Sequence, residues 1–437
     1  GCLMWALRLY QLMAFLAGPF LFFSLRRRAA SGRENAARLG ERRGIAAIPR
    51  PDGQLVWLHA ASVGETNSIL PLVEDIFAAN PKLNILLTTG TVTSAERVFQ
   101  AQSQTTPRLL HQFMPLDRRA WVERFLAHWR PDLAGWVESE IWPNMVLACA
   151  AQNLPLTMIN GRLSDRSYRR WQRIPKVAQK LLSCFHLLIA QDQTTADRLS
   201  ALGAKNPVVC GNLKLDAPAL TANAEQVTAM QAAFGARPVW LAASTHAGEE
   251  IAVLETHKLL LPSFPNLLTL IAPRHAVRGG DIYAELAPHL PEPLAISQRS
   301  QNQALGEQTQ VYLVDTMGEL GLLYSSLDLV FIGGTLVAHG GQNPIEAAAL
   351  NCALLHGPNV QNFAEIFADL QAHKAAIKVS DAAELAAQIH TLMDDPNTAN
   401  KLANQAAIYV DSQRGARQKV YDLLHNQWSQ TAPKGGA

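Results

Sequence analysis

At 437 residues the chain is too long for one small core, so two or more domains are expected. Hydrophobic residues make up 48% and charged residues 17%, an ordinary globular balance, and a net charge of +2 provides no basic field for a nucleic-acid partner. The five cysteines, Cys2, Cys149, Cys184, Cys210 and Cys352, are scattered and odd in number, which argues against a disulfide framework or a cysteine-built zinc site and for a reducing, cytoplasmic setting.

The N-terminus departs from this average. Leu3 to Leu25 is mostly apolar, interrupted by Arg8, Gln11, Ser24 and the Gly18-Pro19 pair, and Arg26-Arg27-Arg28 follows at once. Crossing a hydrocarbon core takes ~20 apolar residues, so the stretch is long enough. A cleaved signal peptide is disfavoured, because the arginines come after the apolar run and no small-residue cleavage site precedes them. A single spanning anchor and a deeply seated interfacial helix both remain, with the arginines facing anionic headgroups on the cytoplasmic side. Residues 1–28 are therefore expected to be the membrane anchor, and anionic lipid a partner.

The first strand, Leu55–Ala61, leads into Ala61-Ser62-Val63-Gly64-Glu65-Thr66-Asn67, a small-residue turn with a carboxylate in the first helical turn after it. In open α/β sheets this edge is where ligands bind, and a Glu there can take a proton from a bound hydroxyl. The same residues also form the Ser-x-x-Glu pattern of a capping box, in which the Glu only closes the helix N-terminus. Further strands are expected at Asn84–Thr89, Arg108–Met114, Leu133–Val137, Leu156–Asn160, His186–Ala190 and Pro207–Gly211, with helices at Val92–Gln100, Ala120–Trp129, Asn144–Gln152, Ile174–Cys184 and Thr195–Leu202. Such alternation indicates βαβ units and a parallel sheet. Glu140 follows the fourth strand, where it either orients a ligand or is a charge beside a helix start. Asn160 to Trp171 is locally basic; Arg166, Arg169, Arg170 and the nearby Arg173 read as a solvated face.

The alternation restarts after Asn212-Leu213-Lys214-Leu215-Asp216. Strands are expected at Pro238–Ala243, Asn266–Ala272, Gln310–Val314, Leu329–Ile332 and Cys352–Leu355, with helices at Glu249–Leu261, Gly318–Ser325, Pro344–Leu350 and Phe363–His373, and polar helices over 397–430. The economical architecture is two doubly wound Rossmann-like domains facing a cleft, 29–216 and 217–437, with the last helix free to pack back on the first domain. Four polar loops end successive strands of the second half. Ser244-Thr245-His246-Ala247-Gly248 suits a phosphate at a helix N-terminus or a plain N-cap. Pro273-Arg274-His275 puts a cation at a strand end, fit for phosphate or carboxylate. Met317-Gly318-Glu319 and the glycine-dense run from Gly333 to Asn343-Pro344-Ile345-Glu346 complete the rim. Together they point to a nucleotide site. There is no Gly-x-Gly-x-x-Gly after a strand, no Walker A run and no metal-ligand spacing among the thirteen histidines, so neither a metal nor a cofactor is expected.

The run from His59 to Glu65, Glu138-Ser139-Glu140-Ile141-Trp142-Pro143-Asn144, Gly211-Asn212-Leu213-Lys214, Pro273-Arg274-His275, Met317-Gly318-Glu319-Leu320 and Asn343-Pro344-Ile345-Glu346 together resemble the Kdo transferases of Gram-negative bacteria, glycosyltransferase family 30. The resemblance covers nearly the whole chain, including the apolar N-terminus. It departs at Gln342, where the family's pattern has a His before Asn-Pro. It implies a GT-B fold at the inner membrane, catalytic domains on the cytoplasmic side. It further implies transfer of 3-deoxy-D-manno-octulosonic acid (Kdo) from CMP-Kdo to a lipid A precursor without a metal. Glu65 is then implied as catalytic base, with Glu140, Arg166, Arg169 and Arg170 beside the acceptor. Pro273, Arg274, Met317, Gly318, Glu319, Asn343, Pro344, Ile345 and Glu346 are implied CMP contacts, with Ser244 near the phosphate. Two alternatives stay open: a GT-B enzyme using a UDP-sugar, and a non-catalytic protein binding anionic lipid.

Overall fold

The computed structural model describes residues 2–32, 34–104, 107–138, 141–216, 220–292 and 295–431. It forms two compact units, one of Gly1–Asp216 together with the stretch from Gln413 onward, the other of Ala217–Ser412.

In the first unit seven parallel strands, β1 (Leu55–Ala60), β2 (Asn84–Thr89), β3 (Leu109–Phe113), β4 (Leu133–Val137), β5 (Leu156–Gly161), β6 (Leu187–Ala190) and β7 (Val208–Val209), lie in the order β3-β2-β1-β4-β5-β6-β7. All six residues of β1 are buried, as expected of a strand covered by helices on both faces. One face packs Trp57 against Phe125 and Trp136, with ring centroids 4.8 and 5.8 Å away. The other face packs Ile69, Val73 and Ile76 of helix Val63–Ala79. Strand order reverses between β1 and β4, and β1 is the strand that leads to Glu65. That reversal is the crevice where α/β sheets take ligands.

The final helix, Ala416–Thr431, buries Ala416, Val420, Leu424 and Trp428 against this same face. Asp216 accepts the N–H groups of Gly415 (3.1 Å) and Arg417 (2.7 Å), fixing where the chain returns. Thus the chain beyond Ser412 belongs to the first unit: the last helix packs back on the first domain, and the second unit ends at Ser412 and not at 437.

The apolar N-terminus forms two helices, Cys2–Leu16 and Gly18–Ala30, bent by 54° at the Gly-Pro break. No single helix among the described residues is long and apolar enough to cross a membrane; this bent pair passes only when taken together. The single anchor helix expected from the sequence is therefore two helices. Tyr10 donates its hydroxyl to Asp117 (2.7 Å), and Arg118 lies over the ring of Phe15, so one side of the first helix is seated on the domain. Leu9, Leu12, Met13, Leu16, Phe20 and Phe23 remain exposed.

The second unit repeats the plan with β8 (Val239–Thr245), β9 (Leu268–Pro273), β10 (Ile296–Gln298), β11 (Val311–Leu313), β12 (Leu329–Ile332), β13 (Ala353–His356) and β14 (Ala376–Lys378), all parallel, in the order β10-β11-β9-β8-β12-β13-β14. Its switch point lies between β8 and β12. The outer strands β10 and β14 were not expected: at three residues each they are too short to leave a hydrophobic pattern. Helices Asp165–Gln172, Ala224–Phe234 and Gly279–Leu286 were likewise unread, being polar or short.

Removing the Trp428 side chain should destabilise the first unit by about 3–5 kcal/mol, the usual cost of emptying a buried aromatic site. Urea unfolding of Trp428→Ala against the parent chain measures it; a midpoint shift confined to the second unit would contradict this docking.

Candidate active site

At the first rim, Ser62 is the N-cap of helix Val63–Ala79, its Oγ accepting the Glu65 N–H (3.3 Å). The Glu65 side chain reaches back. Its Oε2 accepts the Ala61 N–H (2.7 Å) and its Oε1 the Ser62 hydroxyl (3.0 Å). The capping arrangement is thus present. A carboxylate offers about four acceptor sites, so capping does not prevent proton uptake by the same group. His59, at the start of this motif, lies within β1 with Nδ1 on Thr88, and burial lowers its pKa to about 4. It belongs to the sheet.

At the end of β4, the neighbour of β1, Glu138 has a left-handed backbone (φ 61°) and pairs with Lys214 at 2.5 Å. Asn160, at the end of β5, is left-handed too (φ 53°); its side chain bonds Asn212 (3.3 Å) and the Leu213 N–H (2.9 Å). The turn Leu213–Leu215 in turn packs against helix Val63–Ala79. Left-handed non-glycine residues carry strain and cluster at functional sites. Glu140 lies outside the described residues. Arg166, Arg169, Arg170 and Arg173 are all exposed along and just after helix Asp165–Gln172, and among the described residues none of the four has an ion pair. Helix Pro175–Leu182, just beyond, packs against the first N-terminal helix.

In the second unit, Ser244 sits at the end of β8 with φ 57°, while Gly333, ending β12, presses against it: a Cβ there would stand 2.6 Å from the Ser244 carbonyl oxygen. Only glycine permits that approach. Ser244, Pro273, Arg274, Met317, Gly318 and Glu319 line one pocket. Gly318 has φ 80° and open space where a side chain would be. Asn343 accepts the Ile345 N–H (3.0 Å) and donates to Glu346 (3.4 Å). The helix begins at Ile345, so Pro344 precedes the first turn and does not open it. Burial raises the Glu346 pKa, opposed by Asn343 and by the charge of Arg274. Arg274 therefore lies within electrostatic reach of the Asn-Pro-x-Glu loop as well as lining the pocket.

Similarity to known proteins follows this geometry. The family model of 3-deoxy-D-manno-octulosonic-acid transferase (kdotransferase) matches residues 37–217, and that of glycosyl transferases group 1 matches residues 257–408. A 3-deoxy-D-manno-octulosonic acid transferase of Haemophilus influenzae is 35% identical over 89% of this chain and 90% of its own length. The chain belongs to the Kdo transferase family. A second transferase of the same description, from Rickettsia bellii, is 31% identical over 91% of this chain and 93% of its own length. Among solved structures, Acinetobacter baumannii MurG superposes with a TM-score of 0.55 at 11% identity, covering 86% of this chain and all of that one, a likeness of fold alone. The two doubly wound units of this Kdo transferase form a GT-B fold.

Three features of the second rim escaped the sequence. Arg299 grips Glu319 through Nε (2.6 and 2.8 Å) and Nη2 (2.6 Å), and Thr316 also donates to that carboxylate. Burial pushes the Glu319 pKa up, but these bonds bring it below the ordinary carboxylate value. The Glu319 carboxylate is thus engaged by Arg299 and Thr316. Second, Glu249 is fully buried and accepts four backbone N–H groups: His246 (3.2 Å), Gly334 (2.6 Å), Thr335 (3.1 Å) and Leu336 (3.0 Å). Third, His246, His275 and His339 meet in space. Apart from the bonds of Thr316 to Glu319 and of His246 to Glu249, three positions apart, these contacts join residues 20 to 93 positions apart, and no sequence spacing announces them.

Glu249→Gln leaves one acceptor oxygen where two served four donors. The second unit should lose about 2–4 kcal/mol, since buried N–H groups without partners bear their full desolvation cost. Thermal and denaturant unfolding of the variant measures this; a loss under ~0.5 kcal/mol, within the range of surface changes, would show that the loop holds itself.

Proposed function

We propose that this chain transfers Kdo from CMP-Kdo to a lipid A precursor in one inverting displacement, with Glu65 as the general base. The acceptor hydroxyl oxygen attacks the anomeric carbon of Kdo, the bond from that carbon to the phosphate oxygen breaks, and CMP leaves with the bonding pair. Glu65 takes the acceptor's proton. The observation that carries this reading is the position of Glu65: first helical turn, carboxyl end of β1, at the strand-order reversal, in a member of the Kdo transferase family. Its hydroxyl donor Ser62 is a side chain able to turn away when a substrate hydroxyl arrives, leaving Oε1 as acceptor.

On the donor side, the pocket of Ser244, Pro273, Arg274, Met317, Gly318 and Glu319 is offered to CMP, with Glu346 and Asn343 beside Arg274 for the ribose hydroxyls. Negative charge grows on the leaving phosphate, and fixed donors aimed at it lower the barrier. Arg274 and the backbone at Gly318 supply such donors. On the acceptor side, Arg166, Arg169 and Arg170 present free cations suited to an anionic lipid, with Glu140 as a further candidate. The exposed apolar residues between Leu9 and Phe23, followed by Arg26, Arg27 and Arg28, fit the cytoplasmic face of an inner membrane rich in anionic lipid.

Detergent-solubilised protein given fresh CMP-Kdo and tetraacylated lipid A precursor should add whole Kdo units, read by mass spectrometry of the lipid. Glu65→Gln should fold normally and lower the rate by about 10²–10⁴. An unchanged rate in this variant would reduce Glu65 to a helix cap, and no mass gain with the parent chain would overturn the substrate assignment.

A further inference from the structure

His246, Gln342 and two more histidines build a feature that the reading above does not use. His246 is buried, stacked on His339 (centroids 3.5 Å, interplanar angle 24°) and edge-on to His275 (5.8 Å). The Gln342 amide nitrogen lies 2.9 Å from His246 Nε2. With the Gln342 amide in this orientation its N–H donates, which makes Nε2 the acceptor and puts the proton on Nδ1. Nδ1 has no hydrogen-bond partner among the described residues. His275 and His339 are exposed around it, and Arg274, which lines the donor pocket, precedes His275 in sequence.

We propose that His246 Nδ1–H, its tautomer set by Gln342, is a donor to an anionic oxygen of the sugar nucleotide, with His339, His275 and Arg274 forming the rim of that subsite. The inference rests on the donor reading above and adds a residue to it. It also gives Gln342 a role in this chain: the side chain orients a ring and need not touch ligand.

The charges around His246 set the sign of its pH dependence. Burial first, then His339, His275, Arg278 and Arg274, lower its pKa to about 4. The carboxylates nearby are already engaged, Glu249 by backbone N–H groups including that of His246, and Glu250 by Arg278 (2.9 Å) and Thr245 (3.0 Å). An arriving anion raises the His246 pKa, so it binds the protonated form more tightly. Affinity is then greatest at low pH and weakens as pH rises from about 4 through the value reached in the complex.

The test is titration calorimetry of CMP and of cytidine, from about pH 5.5 to 8, with the 437-residue chain, His246→Gln and His246→Asn. Asn keeps an N–H near the Nδ1 position without a titratable ring; Gln does not. CMP affinity should fall about tenfold in His246→Gln. It should be largely kept in His246→Asn, with a shallower pH slope than the parent, and cytidine affinity should not change. If the anion is the sugar's carboxylate and not the phosphate, CMP affinity stays constant while the KM for CMP-Kdo rises by a similar factor. No effect on either ligand, or equal loss of cytidine and CMP, overturns the histidine subsite alone. Absence of CMP binding to the parent chain overturns the donor reading and the subsite with it.

Discussion

Glu249 carries a charge into a fully buried position with four backbone N–H groups and, among the described residues, no cation hydrogen-bonded to it. Burial raises its pKa, and the four hydrogen bonds oppose that rise. A lone buried carboxylate is costly, so this one is tolerable only while the loop from Gly334 to Leu336 holds its shape. The dependence runs the other way too. That loop starts on a left-handed glycine at 334, with two more at 340 and 341 just after it, and without an internal acceptor its N–H groups would turn to water. The contact between β8 and β12, the strained Ser244 and the stacked His246–His339 pair all sit on this one clamp. The rim of the second unit is therefore organised by a residue buried beneath it.

The first unit uses the same device at its own switch point with a different outcome. Glu65, like Glu249, stands in the first turn of the helix after the sheet's leading strand and bends back to take backbone N–H from the turn before it. Glu249 spans to a second loop and is fixed there by amides that cannot leave. Glu65 instead takes the hydroxyl of Ser62, a rotatable donor. Two carboxylates at equivalent places in two similar units thus differ in their partners, one held by four backbone N–H groups and the other by one backbone N–H and a hydroxyl. That contrast in hydrogen-bond partners is why the proposal of proton transfer names Glu65 and not Glu249.

Much of the fold was legible because parallel strands covered on both faces must be apolar throughout. Leu133–Val137, Asn84–Thr89 and Leu329–Ile332 read directly as strands for that reason. The rims were legible as well, since glycines, caps and isolated charges gather where strands end. What each charge touches was not. Glu319 and Arg299 are 20 residues apart, and nothing in either neighbourhood announces a bidentate pair. Asn160 holds Asn212 and Leu213 across 52 and 53 positions.

The sequence by itself determined the class of the fold, the positions of most strands, the two acidic and basic rims and, through its combined motifs, the family. These follow from local rules: burial periodicity, capping chemistry and the conformational range of glycine act over a few residues. Tertiary structure decided which carboxylates are occupied, that the last helix completes the first unit, that the apolar N-terminus bends into two helices seated on the domain, and that three histidines converge on Gln342. Those outcomes depend on side chains brought together across tens to hundreds of residues, where a one-dimensional pattern carries no distance and burial alone chooses the partner.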